Sequence, residues 1–278
     1  MKILIDGQTL LTPDITRGIG KYFINNVENI LHYDFTNDFY LNTPPGTNLS
    51  ALSPWARSKL HILENAAYGP QSEKLYSDTL NNDIERLGID VYWSPNALMD
   101  NVVLPARQTS ACQFAVTIFD LIVSVMEKEY AKHWPDGSVV TFKNKLNRLA
   151  QDFDLFLHIS HHTKSDFLNA LPVVNKRHVV THLAVDASFH PPVFPISPVA
   201  KDYVIYPGGF DPRKNMDRAV EGFARLHEKY GADETHLCIV CNYDKAGEAQ
   251  LLNYARKLGI GDKVWLTGFV DERRLVET

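Results

Sequence analysis

At 278 residues the chain has room for about two domains, and its 45% hydrophobic and 22% charged residues match a globular protein with a proper core. A net charge of -5 excludes the broad positive field of a nucleic-acid binder, so any polyanionic ligand needs a local cluster of cations. Three cysteines argue against a disulfide scaffold, no window holds 18 uncharged apolar residues, and Met1–Asp6 has too short an apolar run for a signal peptide; a cytosolic protein is expected.

In chain order, Lys2–Ile5 reads as a first strand. Gly18–Leu31 reads as a helix, because Ile19, Tyr22, Phe23, Val27, Ile30 and Leu31 fall at three- and four-residue spacing. Further strands are expected at Leu60–Leu63, Val91–Trp93, Gln113–Phe119, Leu155–Ile159 and His178–Val180, and helices at Ser72–Leu87, Val139–Leu149 and Thr163–Leu171. This alternation predicts an α/β fold with a mostly parallel sheet covered on both faces. His190–Pro198 then holds four prolines in nine residues, which neither a helix nor a central strand accepts. The expected organisation is therefore a domain over 1–190, a linker over 191–200 and a second domain over 201–278. In the second domain strands are expected at Tyr203–Tyr206, His236–Val240 and Lys263–Thr267, and helices at about Met216–Tyr230 and Ala246–Leu258. Asp271 reads as the N-cap of a helix starting at Glu272. Three strands and a helix in its first turns make that domain short by about half against usual sizes, so it is expected to be incomplete.

The strongest local signal is Tyr206-Pro207-Gly208-Gly209-Phe210-Asp211-Pro212-Arg213-Lys214-Asn215. Glycines let backbone approach a ligand, a helix start offers unpaired N–H groups, Arg213 supplies a fork for phosphate oxygens and Lys214 a point charge. These parts describe a diphosphate cradle; an ordinary β–turn–α connection with solvated cations is the other reading. Gly18 and Gly20 open a helix, either as a ligand-facing turn or as a plain one; with no third glycine they are not the dinucleotide fingerprint. Asp120 sits past an apolar strand, at the carboxyl edge where open α/β sheets place their sites, and could bind hydroxyls or cap the next element. His158, His161 and His162 lie on a strand-to-helix junction, where three rings would not converge on a metal. Cys238 and Cys241 should point to opposite faces of a strand, as core residues. Lys143, Lys145 and Arg148 read as a solvated basic face, with contact to a charged acceptor or membrane surface as the alternative.

Gly208-Gly209, Arg213-Lys214-Asn215 and the following Ala219–Leu226 resemble the donor-phosphate loop of family 4 (group 1) retaining glycosyltransferases. Leu258-Gly259-Ile260, Lys263-Val264 and Leu266–Glu272, with Phe269 and Val270, are similar to that family's nucleobase-contacting segment. Thr16–Tyr22, Val116–Ile122 and Ile159–Asp166 follow the family's order as well. The resemblance implies a GT-B fold, two Rossmann-like domains facing each other across a cleft. It implies retaining transfer of a hexose from a nucleoside diphosphate sugar to a saccharide, GDP-mannose favoured as substrate, with no separate cofactor and no metal. It implies donor binding by Gly18, Gly20, Gly208, Gly209, Arg213, Lys214, Phe269 and Val270, and Asp120 near the transferred sugar. The family usually has His before that Asp, where this chain has Phe119, which cannot hydrogen-bond a hydroxyl. The family also carries two glutamates separated by seven residues that hold the donor's ribose and sugar. Glu221 and Glu228, separated by six residues on the first helix of the second domain, do not substitute. The competing expectations are a sugar-nucleotide 2-epimerase and an inactive saccharide-binding remnant. A cytoplasmic protein with peripheral membrane contact, binding no nucleic acid, completes the reading.

Overall fold

A computed structural model describes residues 1–65, 73–130, 137–171, 173, 175–186, 189–190, 202–231 and 234–277. The proline-rich linker and the expected helix start at Ser72 lie outside the described residues. The chain divides into two compact units, Met1–Ala184 and Val185–Thr278.

The first unit runs β1 (Lys2–Asp6), 3-10 turns at Gln8–Leu11 and Pro13–Thr16, α1 (Gly18–Tyr33), β2 (Asp38–Thr43), α2 (Pro54–Lys59), β3 (His61–Glu64), α3 (Glu73–Leu87), β4 (Val91–Ser94), β5 (Gln113–Ile118), α4 (Ile122–Val125), α5 (Glu127–Tyr130), α6 (Ser138–Asp152), β6 (Leu155–His158), α7 (His161–Ala170) and β7 (Arg177–Val180). The strands form one sheet in the order β3-β2-β1-β4-β5-β6-β7, every pair parallel. One face packs Phe23, Val27 and Leu31 of α1 and Ala56 of α2 on Ile5, Leu41 and Trp93. The other packs Leu80 and Ile84 of α3, Phe142, Leu146 and Leu149 of α6 and Phe167 of α7 on Leu4, Tyr92, Phe114 and Phe156. Each such side chain contributes on the order of 1.5–3 kcal/mol by leaving water.

Two sequence expectations change here. β2 is a strand the sequence reading passes over, because its second half, Asn42 and Thr43, is polar yet buried. The Asn42 amide is satisfied by donating to the Tyr76 hydroxyl at 2.8 Å. The basic stretch of α6 is a solvated face only at Lys143. Lys143 pairs with Glu127 at 2.7 Å, and Arg148 pairs with Glu73 at 2.5 Å while donating to the Leu104 carbonyl. Lys145 donates to the carbonyls of Met99 and Val102, and burial pulls its pKa down to about 8. The long β4–β5 connection exposes carbonyls that need donors, and Lys145 and Arg148 supply them.

At the strand-order reversal between β1 and β4, a buried polar network fills the carboxyl edge. Asp6, 2% exposed, accepts from the Gln8 backbone and side chain, the Tyr92 hydroxyl at 3.0 Å and the Ser94 hydroxyl. Gln8 also donates to the Val103 carbonyl and accepts from the Val103 N–H. Burial outweighs these bonds and raises the Asp6 pKa from 3.8 to about 6. His158, fully buried beside β7, moves the other way, from 6.5 to about 4, by burial and the neighbouring His178.

These two shifts oppose each other in one pH window. Below pH 6.5 the unfolded chain protonates His158 while the folded chain does so only near 4, so stability is lost as pH falls. Over pH 6 to 3.8 the folded chain protonates Asp6 before the unfolded one, so stability is gained as pH falls. At ~1.4 kcal/mol per pK unit, each amounts to at most about 3 kcal/mol. Relative to the parent profile, Asp6→Asn should make denaturant stability fall more steeply from pH 6.5 to 4, and His158→Gln should make it rise. Parallel profiles for all three proteins would contradict both shifts.

The second unit runs β8 (Tyr203–Pro207), a 3-10 turn at Pro212–Lys214, α8 (Met216–Tyr230), β9 (His236–Val240), α9 (Lys245–Lys257), β10 (Val264–Leu266) and α10 (Glu272–Glu277). Its parallel sheet has the order β10-β9-β8. Met216, Val220 and Phe223 of α8 and Leu251 and Ala255 of α9 pack on Leu237, Ile239 and Leu266. The Asp271 carboxylate accepts from the Arg274 N–H at 2.7 Å, the N-cap the sequence predicts.

Candidate functional site

The chain from β8 to α8 folds into a compact turn over the carboxyl end of its sheet. A Cβ on residue 208 would meet the ring of Tyr206 far inside contact distance, so a side chain there would displace that ring. The Tyr206 hydroxyl reaches across the turn and donates to the Lys214 carbonyl. Asn215 takes the left-handed conformation, φ 53°, which Asn tolerates better than most residues, and swings the chain into α8. Its carbonyl accepts from the Arg218 and Ala219 N–H groups. The helix mouth has no side-chain cap and presents the positive end of a fifteen-residue dipole.

Gly209 is open, with nothing near a Cβ position. Arg213 and Lys214 stand exposed at the same mouth. Arg213 is held by Asp211, Nη2 to Oδ2 at 2.6 Å, and Lys214 has no ion-pair partner among those identified for the described residues. Arg213 keeps the Asp211 carboxyl below its ordinary pKa. A groove of about 880 Å³ adjoins the turn, between the starts of α8 and α9, lined by Phe210, Asp211, Asn215, Tyr243, Asp244 and Gln250 among others. Asp244 caps α9 by accepting from Gly247 N–H at 2.7 Å. Beyond β10, Gly268 turns the chain at φ 77°, leaving Phe269 80% exposed and Val270 half-buried.

The candidates of the first unit occupy its carboxyl edge. Gly18 is exposed at the first turn of α1 with open space beside it, whereas Gly20 is buried with its Cα against the backbone of Ile15. Asp120 follows β5 and its Oδ1 accepts from the Ile122 N–H at 3.1 Å, so one oxygen caps α4. Phe119 meets the ring of Tyr22 edge-on at 4.9 Å. Ser160 caps α7 by accepting from Thr163 N–H at 3.0 Å, as its position predicts. The histidines separate into pairs: His158 bonds His178 at 3.0 Å, the ring of His161 lies tilted to that of His182 at 5.5 Å, and His162 faces Asp166. No cluster of three or more His, Cys, Asp or Glu suited to a metal ion occurs among the described residues. Cys238 and Cys241 are buried, and burial raises both thiol pKa values.

Sequence reasoning includes Tyr206 and Asp211 in the motif without giving either a role, yet their bonds to Lys214 and Arg213 fix the turn. The signal for Asp211 is its spacing, two residues before a cation at a helix start, where Asx turns form.

The chain comprises two parallel α/β units, the second carrying this turn, and its fold is similar to that of solved GT-B glycosyltransferases. Residues 195–278 match the family model described as Glycosyl transferases group 1. Among solved structures, Anabaena Alr3699/HepE in complex with UDP and glucose matches with a TM-score of 0.59 and 12% identity, over 100% of this chain and 71% of that one. The lipopolysaccharide outer core galactosyltransferase WaaB matches at 0.60 and 14%, over 99% and 70%, and WaaG, of lipopolysaccharide biosynthesis, at 0.59 and 12%, over 100% and 72%. At these identities the likeness is one of fold. No curated protein matches the chain significantly. Among the described residues no helix is long and apolar enough to cross a membrane.

Proposed function

We propose that the chain transfers a hexose, with retention, from a nucleoside diphosphate sugar to a saccharide acceptor in polysaccharide or glycoconjugate synthesis. The observation carrying this reading is the Tyr206–Asn215 turn, two cations at the mouth of α8 within the segment that matches the glycosyltransferase model. Departure of a nucleoside diphosphate builds negative charge on the β-phosphate, and preorganised donors there give the largest rate term. The α8 N–H groups, Lys214 and Arg213 supply those donors without a metal ion. Phe269 and Val270 serve the nucleobase, Gly18, Gly208 and Gly209 the backbone approach to the donor, and Asp120 the transferred sugar, while Gly20, buried against the Ile15 backbone, packs the start of α1 instead. GDP-mannose is the donor the sequence resemblance favours; the Anabaena relative was solved with UDP and glucose, which makes UDP-glucose its first competitor. The setting is cytoplasmic, with peripheral contact at the inner face of the membrane as the alternative.

The test is incubation with GDP-mannose, UDP-glucose and UDP-galactose, with and without oligosaccharides. Mass spectrometry should show one donor consumed, its nucleoside diphosphate released and a hexose on the acceptor, and NMR an anomeric configuration matching the donor's. An epimerised nucleotide sugar would replace this reading with the 2-epimerase one. Every donor returned intact would leave a saccharide-binding protein.

A further inference from the structure

Arg213 is already engaged by a carboxylate of its own turn. Its Nε donates to Asp211 Oδ1 at 3.0 Å and Oδ2 at 2.9 Å, its Nη2 to Oδ2 at 2.6 Å, and its backbone N–H to Oδ1 at 3.0 Å. This is the side-on, two-oxygen grip that guanidinium groups also make on phosphate. Both side chains are one-third exposed, so water reaches the pair and the contact can be exchanged at modest cost.

We propose that Asp211 is an internal stand-in for the donor diphosphate, occupying the Nε–Nη2 edge of Arg213 and setting donor affinity by competing with phosphate for it. The inference rests on the turn being the donor-diphosphate cradle. Its logic is charge. Arg213 and Asp211 cancel, leaving Lys214 as the net positive charge of the turn against a diphosphate carrying about two negative ones. When Arg213 passes to the phosphate, the Asp211 carboxylate is left facing the groove, near Asp217 and Asp244 on the same lining. That repulsion opposes donor binding and favours release of the product diphosphate. Asparagine at 211 keeps an oxygen for the Arg213 N–H and so preserves the turn while removing the competing charge. If Asp211 instead served only to aim Arg213, loss of its charge would weaken binding, so the two roles have opposite signs.

The experiment is calorimetric titration of UDP and of GDP into the full chain, for the parent, Asp211→Asn, Arg213→Ala and the double variant. Asp211→Asn should tighten binding about three- to tenfold, the range an exchangeable charged pair can supply. In the Arg213→Ala background the same change should tighten binding less, because it then removes only the carboxylate's repulsion and no competition for the guanidinium. Weaker or unchanged binding in Asp211→Asn overturns the proposal, and so does equal tightening in both backgrounds, which would reveal only a general field of charge. Thermal melts of each variant, with Asp211→Ala as the form that loses the turn contact, separate a collapsed turn from an altered affinity. If neither nucleotide binds the parent, the cradle reading fails and this inference with it; if the parent binds and Asp211→Asn does not differ, only this inference falls.

Discussion

Lys214→Ala is expected to lower turnover of the nucleotide sugar about a hundredfold or more. Arg213→Ala also removes one positive charge and leaves the Asp211 carboxylate without its partner, so the two losses are comparable in net charge. They differ in how each cation is held: the Arg213 donors are engaged by Asp211, whereas Lys214 holds no carboxylate among the described residues. Lys214 supplies the uncompensated charge, and its backbone is fixed by the bond from the Tyr206 hydroxyl to its carbonyl. A donor preorganised at the point where negative charge develops is worth about 10²–10³ in turnover when deleted. The loss should fall on kcat more than on KM, because charge on the leaving diphosphate grows as the glycosidic bond breaks. Lys214→Arg should recover part of the rate, since charge returns with altered geometry. Steady-state kinetics on the donor identified by the panel decide it. A kcat within threefold of the parent for Lys214→Ala would remove this residue from the site and shift attention to the backbone donors of α8.

The alternation of strands and helices was legible because parallel strands buried on both faces read as short apolar runs, such as Gln113–Ile118, and helices such as α8 carry their apolar stripe openly. β2 was not, since Asn42 is buried as a partner of a polar network assembled from β1, α3 and β4, and Thr43 is buried next to it. No local window contains those partners. The glycine-rich turn stood out through composition, yet its internal wiring did not. Asp211 lies two residues from Arg213, and whether a carboxylate at that distance grips the guanidinium or points to solvent depends on the 3-10 conformation at Pro212–Lys214. The basic residues of α6 misled for a related reason. Their partners, the carbonyls of Met99, Val102 and Leu104, carry no side-chain signature at all.

The Gly18/Gly20 pair, one motif in sequence, should divide into two roles under substitution. Gly20→Ala is expected to destabilise the first unit by about 2–3 kcal/mol, a fall in Tm of roughly 5–10 °C. A Cβ at residue 20 would sit far inside contact distance of the Ile15 Cα, carbonyl carbon and oxygen, all backbone atoms. The Pro13–Thr16 turn cannot simply retreat, because the Ile15 N–H donates to the Thr12 carbonyl at 3.1 Å and the Arg17 N–H to the Asp14 carbonyl at 2.9 Å. Helix propensity favours Ala over Gly by ~1 kcal/mol, which offsets only part of the clash. Gly18 has no atom within contact of its Cβ position, so Gly18→Ala should leave the melt within ~0.5 kcal/mol of the parent. Its exposed place at the start of α1 instead predicts a kinetic effect: Gly18→Leu should raise a substrate KM while melting is unchanged. Equal melting of the Gly20→Ala and Gly18→Ala proteins would show that α1 does not rest on the Ile15 backbone, and an unaltered KM for Gly18→Leu would move the substrate away from the helix start.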